Sequence, residues 1–291
     1  MTTLTAIKKA SLKRQNFIDT NEKRLKKEVL TLQKDLMNII TEDYIGKFTL
    51  DAAGKIAFTE KNIALIAEID KVFDKWNKIY HFENVDKFGE QLLKLTNFSR
   101  DYYVATGFAP KIIDNLEKSF TQINSVIGLD NKGKFIKGGY LDNLLQTTQV
   151  RQEVKTFVTT QISSKASLKD FTKGFKDLVV GSKDTTGRLQ RYYSQYAYDT
   201  FNQTDQVAMN YYAENMDLKY FLYQGSEVDD TREFCKRRHG KVYSREAGES
   251  WNSLTWAGQS GNFWTDRGGY NCRHTIDWVS DSFAEDFGIT E

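Results

Sequence analysis

One proline, Pro110, occurs in 291 residues. Proline is the strongest helix breaker, because its ring removes a backbone donor and clashes with the preceding turn. A chain this long with one breaker is suited to long helices and ill suited to a turn-rich sandwich. Its length allows about two domains at the usual ~100–200 residues each. No apolar run reaches the ~18–20 residues that span a bilayer, so no membrane partner is expected. The first residues, MTTLTAIKKASLKRQNF, hold no continuous apolar segment and no small-residue cleavage site, so no signal peptide is expected. Two cysteines make no disulfide framework, which points to folding in a reducing cytoplasm.

The first 217 residues read as amphipathic helices. Leu25, Val29, Leu32, Leu36 and Ile39 recur at three- and four-residue spacing within 20–42. Ile66, Ile69, Val72, Phe73 and Trp76 form a second stripe, and further helices are predicted over 84–105, 110–127, 141–163, 167–180 and about 186–216. Pro110 stands where a helix can begin. The last helix is rich in tyrosine, with Tyr192, Tyr193, Tyr196, Tyr198, Tyr211 and Tyr212, and reads as core or partner interface. Two interruptions, 47–60 and 128–140, carry turn residues, and Phe135 and Ile136 suit a short two-stranded excursion. No internal repeat is evident.

After residue 217 the pattern changes. The run 218–225, LKYFLYQG, reads as a strand, and four of the five tryptophans follow it among Gly, Ser and Asn. The predicted fold class is α+β: a helical body at 1–217 and a small mixed α/β domain at 218–291. Charge divides unevenly as well, with net −4 over 225–291 and net +6 before it. A mildly basic body is compatible with nucleic acid or an acidic protein surface, and equally with a solvated helix face.

Both cysteines and two of the three histidines fall in two short stretches, Cys235 with His239 and Cys272 with His274. Two Cys and two His are a complete tetrahedral zinc set, and a domain of about 74 residues often needs such a staple. The spacing predicts Cys272 and His274 on one strand face, and Cys235 with His239 on one helix face. Gly268, Gly269 and Asn271 supply the bend that would present the second pair. Asp230 is an alternative oxygen donor to His239. A Cys235–Cys272 disulfide, two buried thiols without a metal, and an exposed His239 are the competing readings. The stretch 235–241 also gathers Lys236, Arg237, Arg238 and Lys241, a candidate phosphate-binding run.

The order of these blocks resembles the C-terminal domain of the phage Mu F-like minor head proteins, the phage head morphogenesis family. The resemblance rests on Asp230, Thr231, Arg232, Cys235, Gly240 and Lys241, then Gly268, Gly269, Asn271, Cys272, Arg273 and His274, and on the long helix at 188–215 leading into the first block. It covers roughly 185–280. Many members carry two cysteines in the first block, a Cys-Arg-Cys ending and an HPNCR stretch. This chain has one cysteine with His239, ends in Cys-Arg-His, and reads GGYNCR.

The resemblance implies a structural, non-enzymatic protein of a tailed-phage virion. It would be made in the host cytoplasm and carried in the head, with the portal protein, the major capsid protein and genomic DNA as partners. The helical body would make the assembly contact. An RNase-like or other toxin-type enzyme is the alternative, with His239–Glu233 or His274–Asp277 drawn as acid/base pairs. A packaged nucleic-acid-binding protein is the other. No nucleophile elbow, HExxH or phosphate-binding glycine loop is present in the sequence.

Overall fold

A computed structural model describes residues 4–78, 82–108, 148–259 and 261–290, with positions 113, 124–125, 128–130, 132, 134 and 136–137 between them. For 82–86, 148 and 192–198 it describes the backbone alone. The helix expected over 110–127, the strand position of Phe135 and the side chains of Tyr192, Tyr193, Tyr196 and Tyr198 lie outside these residues.

The fold is α+β. The helices are α1 Leu4–Ile39, α2 Glu60–Trp76, α3 Phe82–Ala105, α4 Thr148–Ser163, α5 Leu168–Val179 and α6 Arg188–Asn215. One small antiparallel sheet follows, of β1 Tyr220–Gly225, β2 Lys241–Ser244 and β3 His274–Val279 in the order β2-β1-β3. Short helices α7 Glu233–Arg238, α8 Arg245–Ser250, α9 Phe263–Asp266 and α10 Asp281–Phe287 connect and follow the strands. Among the described residues no helix is long and apolar enough to cross a membrane.

The chain forms two compact units, Met1–Asn21 with Gly89–Lys134 and Ala197–Glu291, and Glu22–Phe88 with Phe135–Tyr196. The composition change near 217 does mark the passage from α6 to β1, but the units do not divide there. The sheet groups with stretches far from it in sequence, and described side chains from three of them bond to it. Arg14 reaches Asp277, Tyr102 donates its hydroxyl to the Trp278 carbonyl at 2.9 Å, and Gln206 accepts from the Ile276 N–H at 3.2 Å.

In the unit without the sheet the apolar stripe behaves as its periodicity predicts. Leu25, Val29, Leu32, Leu36 and Ile39 are buried, and so are Ile69, Val72, Phe73 and Trp76, with Ile66 half-buried. Thr59 caps α2, accepting from the Asn62 N–H, and Ser167 caps α5, accepting from the Asp170 N–H. Buried Asn62 holds the 47–60 segment to α2, accepting from the Thr49 N–H and donating to the Thr49 and Ala57 carbonyls.

That segment contains a turn that the chain uses twice. LDAAGK at 50–55 and LDNKGK at 129–134 share the pattern Leu-Asp-x-x-Gly-Lys. In each, the aspartate side chain accepts two backbone N–H groups, Ala53 and Lys55 at Asp51, Lys132 and Lys134 at Asp130. In each, the aspartate N–H donates to the lysine carbonyl, at 2.8 Å. Gly54 sits at φ +73, where a side chain would be strained. The short repeat escapes a reading by hydrophobic period because it is turn chemistry without a core face.

The sheet unit buries β3 along its whole length. Phe221, Tyr223, Ile276 and Trp278 share one face and pack against Trp251, Phe263 and Trp264. On the other face Arg14 lies between Asp205 at 2.7 Å and Asp277 at 2.8 Å, all three buried. Gln224 and Thr275 also donate to Asp277, and Gln206 donates to Asp205. The two carboxylates hold the Arg14 guanidinium charged against the burial that would discharge it. Helix α1 runs from Leu4, well before residue 20, and its inward stripe there carries Ser11, Arg14 and Gln15, which leave no continuous apolar period in the sequence.

Candidate metal centre

Helix α7 places the first thiol. Its axis starts after Arg232 and carries Glu233 in the first turn, where a carboxylate suits the exposed N–H groups. Cys235 faces inward beside Phe234, while Lys236 and Arg237 stay in solvent. The His239 N–H closes the helix on the Cys235 carbonyl at 2.9 Å. Gly240, at φ +72, then turns the chain into β2.

The second thiol comes from a tight loop. Arg267 and Asn271 adopt positive φ of 56 and 55, and Gly269 lies at φ +96. A Cβ on Gly269 would sit 1.9 Å from the Gly258 carbonyl oxygen, so this position excludes any side chain. The Cys272 N–H bonds the Gly269 carbonyl at 3.0 Å, and β3 begins at His274. Cys272 therefore lies just before the strand, not on its face as the alternation predicts.

Helix α7, this loop and the first residue of β3 bring three candidate ligands together. The Cys235 and Cys272 sulfurs are 3.8 Å apart, and His274 Nδ1 is 4.0 Å from the Cys272 sulfur. The three ligand atoms all lie within 4.8 Å of one another, and each residue is buried. A site of this size, two soft sulfurs and an imidazole nitrogen, can hold a metal ion.

The surroundings favour one thiolate. The Gly268 N–H donates to the Cys272 sulfur at 3.3 Å, and the His274 N–H donates to it at 3.4 Å. Hydrogen bonding from Cys235 holds the Cys272 thiol well below its ordinary range, helped by His274 and the charge of Arg267. The same bond to Cys272, with burial, pushes the Cys235 thiol up. Tyr223 extends its buried hydroxyl to 3.3 Å from the Cys235 sulfur and 3.7 Å from the Cys272 sulfur. Burial raises its phenol well above the ordinary range, so it remains protonated. Nothing in the spacing of YFLYQG marks Tyr223 out. The alternation that puts it inside the sheet was the available signal, but not its aim at the sulfurs.

Gly268 leaves room for the pair. A Cβ there would stand 2.2 Å from the Cys235 sulfur and 3.0 Å from the Cys272 sulfur.

His239 does not join the three. Its ring stands edge-on to the His274 ring, 5.4 Å between centroids, and it lines a separate cavity with Lys8, Leu12 and Phe287. The residue sits beyond the end of α7, where the chain is already turning, so the four-residue spacing from Cys235 does not align the two side chains. Asp230, exposed, lines a cleft of about 170 Å3 with Cys235, Cys272 and His274.

The basic run is divided. The Arg238 guanidinium lies 3.8 Å from the Phe234 ring centroid and 4.3 Å from the Trp251 ring centroid, and donates to the Phe234 carbonyl. Arg237 pairs with Glu233 at 2.8 Å. Lys236 and Lys241 are exposed.

The remaining motif residues serve the loops. Thr231 accepts from the Val228 N–H at 2.7 Å, and Arg232 donates to the Tyr270 carbonyl at 2.7 Å. The Asn271 N–H donates to Asp199 at 3.3 Å, and Arg273 stands 3.5 Å from Asp19.

The acid/base pairs drawn from sequence do not form. Glu233 is bonded to Arg237, and Asp277 points to the opposite face of β3 from His274, into Arg14. No family model, curated protein or solved structure matches the chain, so the reading of the site rests on its own geometry.

Proposed function

We propose that the chain is a structural minor head protein of a tailed phage and that a zinc ion, held by Cys235, Cys272 and His274, braces the fold around its sheet. The observation that carries this reading is the convergence of those three side chains within 4.8 Å. They come from the two sequence blocks on which the Mu F-like resemblance rests. Two sulfurs and a histidine nitrogen suit zinc, whose d10 shell imposes no geometry of its own and accepts S and N donors in a tetrahedron. A hydroxyl beside both sulfurs, as that of Tyr223 is, orients and tunes such ligands.

In this reading the protein is made in the host cytoplasm and carried in the virion. It contacts the portal protein and the major capsid protein through helical surfaces, with Lys236 and Lys241 free of ring stacking to meet packaged DNA. The test has two arms. Elemental analysis of the reduced full chain should give about one equivalent of zinc, since one three-ligand cluster holds one ion. Co-expression with the portal and major capsid proteins should yield particles that retain the chain. Less than a tenth of an equivalent would end the zinc reading, and particles without the chain would end the head reading.

A further inference from the structure

Three ligand atoms within 4.8 Å of one another leave a tetrahedral metal one ligand short. The sulfurs also have polar neighbours, the Tyr223 hydroxyl 3.3 Å from Cys235 and the Gly268 N–H 3.3 Å from Cys272. Cys235, Cys272 and His274 all line the 170 Å3 cleft, together with Asp230, Thr231, Arg232, Asn271 and Arg273. The fourth ligand expected from sequence, His239, belongs to a different cavity, of about 310 Å3. Structural zinc sites are closed by four protein ligands, whereas sites with three keep a water that other ligands can replace.

We propose that the metal keeps its fourth position open to this cleft, and that the water there exchanges for a small anion or the carboxylate of a bound molecule. This rests on the metal reading above. Two thiolates neutralise a divalent ion, so an anion bound there needs positive charge nearby, and Arg232 and Arg273 line the wall. Asp230 on the same wall is the internal competitor for the position. A closed site would make the metal a staple alone; an open one makes it a receptor for a ligand that enters through the cleft.

The test uses the reduced full chain loaded with cobalt(II), whose visible bands report coordination number and whose thiolate-to-metal charge-transfer band reports the sulfurs. Sodium azide is titrated first and sodium acetate second. Both should shift the visible bands saturably while the charge-transfer band persists. His239→Ala should lower cobalt affinity by less than the ~10–100-fold that loss of a supporting group brings, and should keep the azide response.

Three outcomes overturn the proposal: visible bands indifferent to azide, loss of cobalt binding in His239→Ala, or an azide response that emerges only in Asp230→Ala. Absence of the charge-transfer band, or its survival unchanged in Cys272→Ser, would instead break the metal reading on which the proposal stands.

Discussion

On one face of β3, His274, Ile276 and Trp278 lie against Tyr223, Phe221 and a wall of aromatic rings. On the other, Thr275 and Asp277 lie against Ser11 and Arg14 of α1. Both faces are buried, yet they meet different physical demands. Without a metal, the two sulfurs lie 3.8 Å apart within hydrogen-bonding reach, and a buried Cys is otherwise tolerated much as a small hydrophobe. A buried carboxylate is not, and needs its cation and donors in place. The first face can therefore stand without a metal, while the second tolerates no loss of a member.

Arg14→Ala should show the largest effect. It strands Asp205 and Asp277 together in the interior, and removing one partner of such a buried group costs about 3–5 kcal/mol. Denaturant unfolding of the full chain measures it, and a loss under about 1 kcal/mol would erase the contrast between the faces.

Metal removal comes next. A ligand present at ~100 times its Kd stabilises by about 2.7 kcal/mol, so chelation should lower the Tm of the wild type and leave that of Cys272→Ser unmoved. An equal drop in both would mean that the metal acts elsewhere.

Gly268→Ala sharpens the comparison from the thiol side. Its Cβ would fall 2.2 Å from the Cys235 sulfur, and overpacking of this kind costs about 1–3 kcal/mol. Weakened zinc uptake should accompany the loss, because the two sulfurs must part. Unchanged uptake would show that the loop moves away as a body.

Arg238→Ala should be smallest, about 0.5–1 kcal/mol for the lost stacking on Phe234 and Trp251. Retention on duplex DNA across a salt series should not change in this variant, but should fall in Lys236→Ala with Lys241→Ala. The reverse order would return Arg238 to the phosphate-binding set.

The same contrast explains what could be read from the sequence. The stripe from Leu25 to Ile39 and that from Ile69 to Trp76 repeat a local period, and a local period is enough to announce a helix that buries one face. Cys235, Cys272 and His274 were legible because they are rare residues in short motifs, and their chemistry is carried by the side chain itself.

Arg14, Asp205 and Asp277 were not legible. Each looks like an ordinary surface charge, and only the meeting of α1, α6 and β3 gives them partners 191 and 263 residues away. The same non-local packing moved the unit boundary from 217. His239 was misplaced for a smaller reason, since spacing along a helix says nothing once the helix ends at Arg238.

The outer edge of β3 is occupied by side chains. Gln206 takes the Ile276 N–H and Tyr102 takes the Trp278 carbonyl, positions where a neighbouring strand would otherwise dock. At the far edge, Ile289 bridges Val242 in parallel and the Thr290 N–H bonds the Val242 carbonyl at 2.7 Å. A three-stranded sheet with bare margins is a template on which copies crowded together in an assembly would zip into ribbons. Here Ile276 and Trp278 at one margin and Val242 at the other already hold partners, which disfavours pairing with the sheet of another chain.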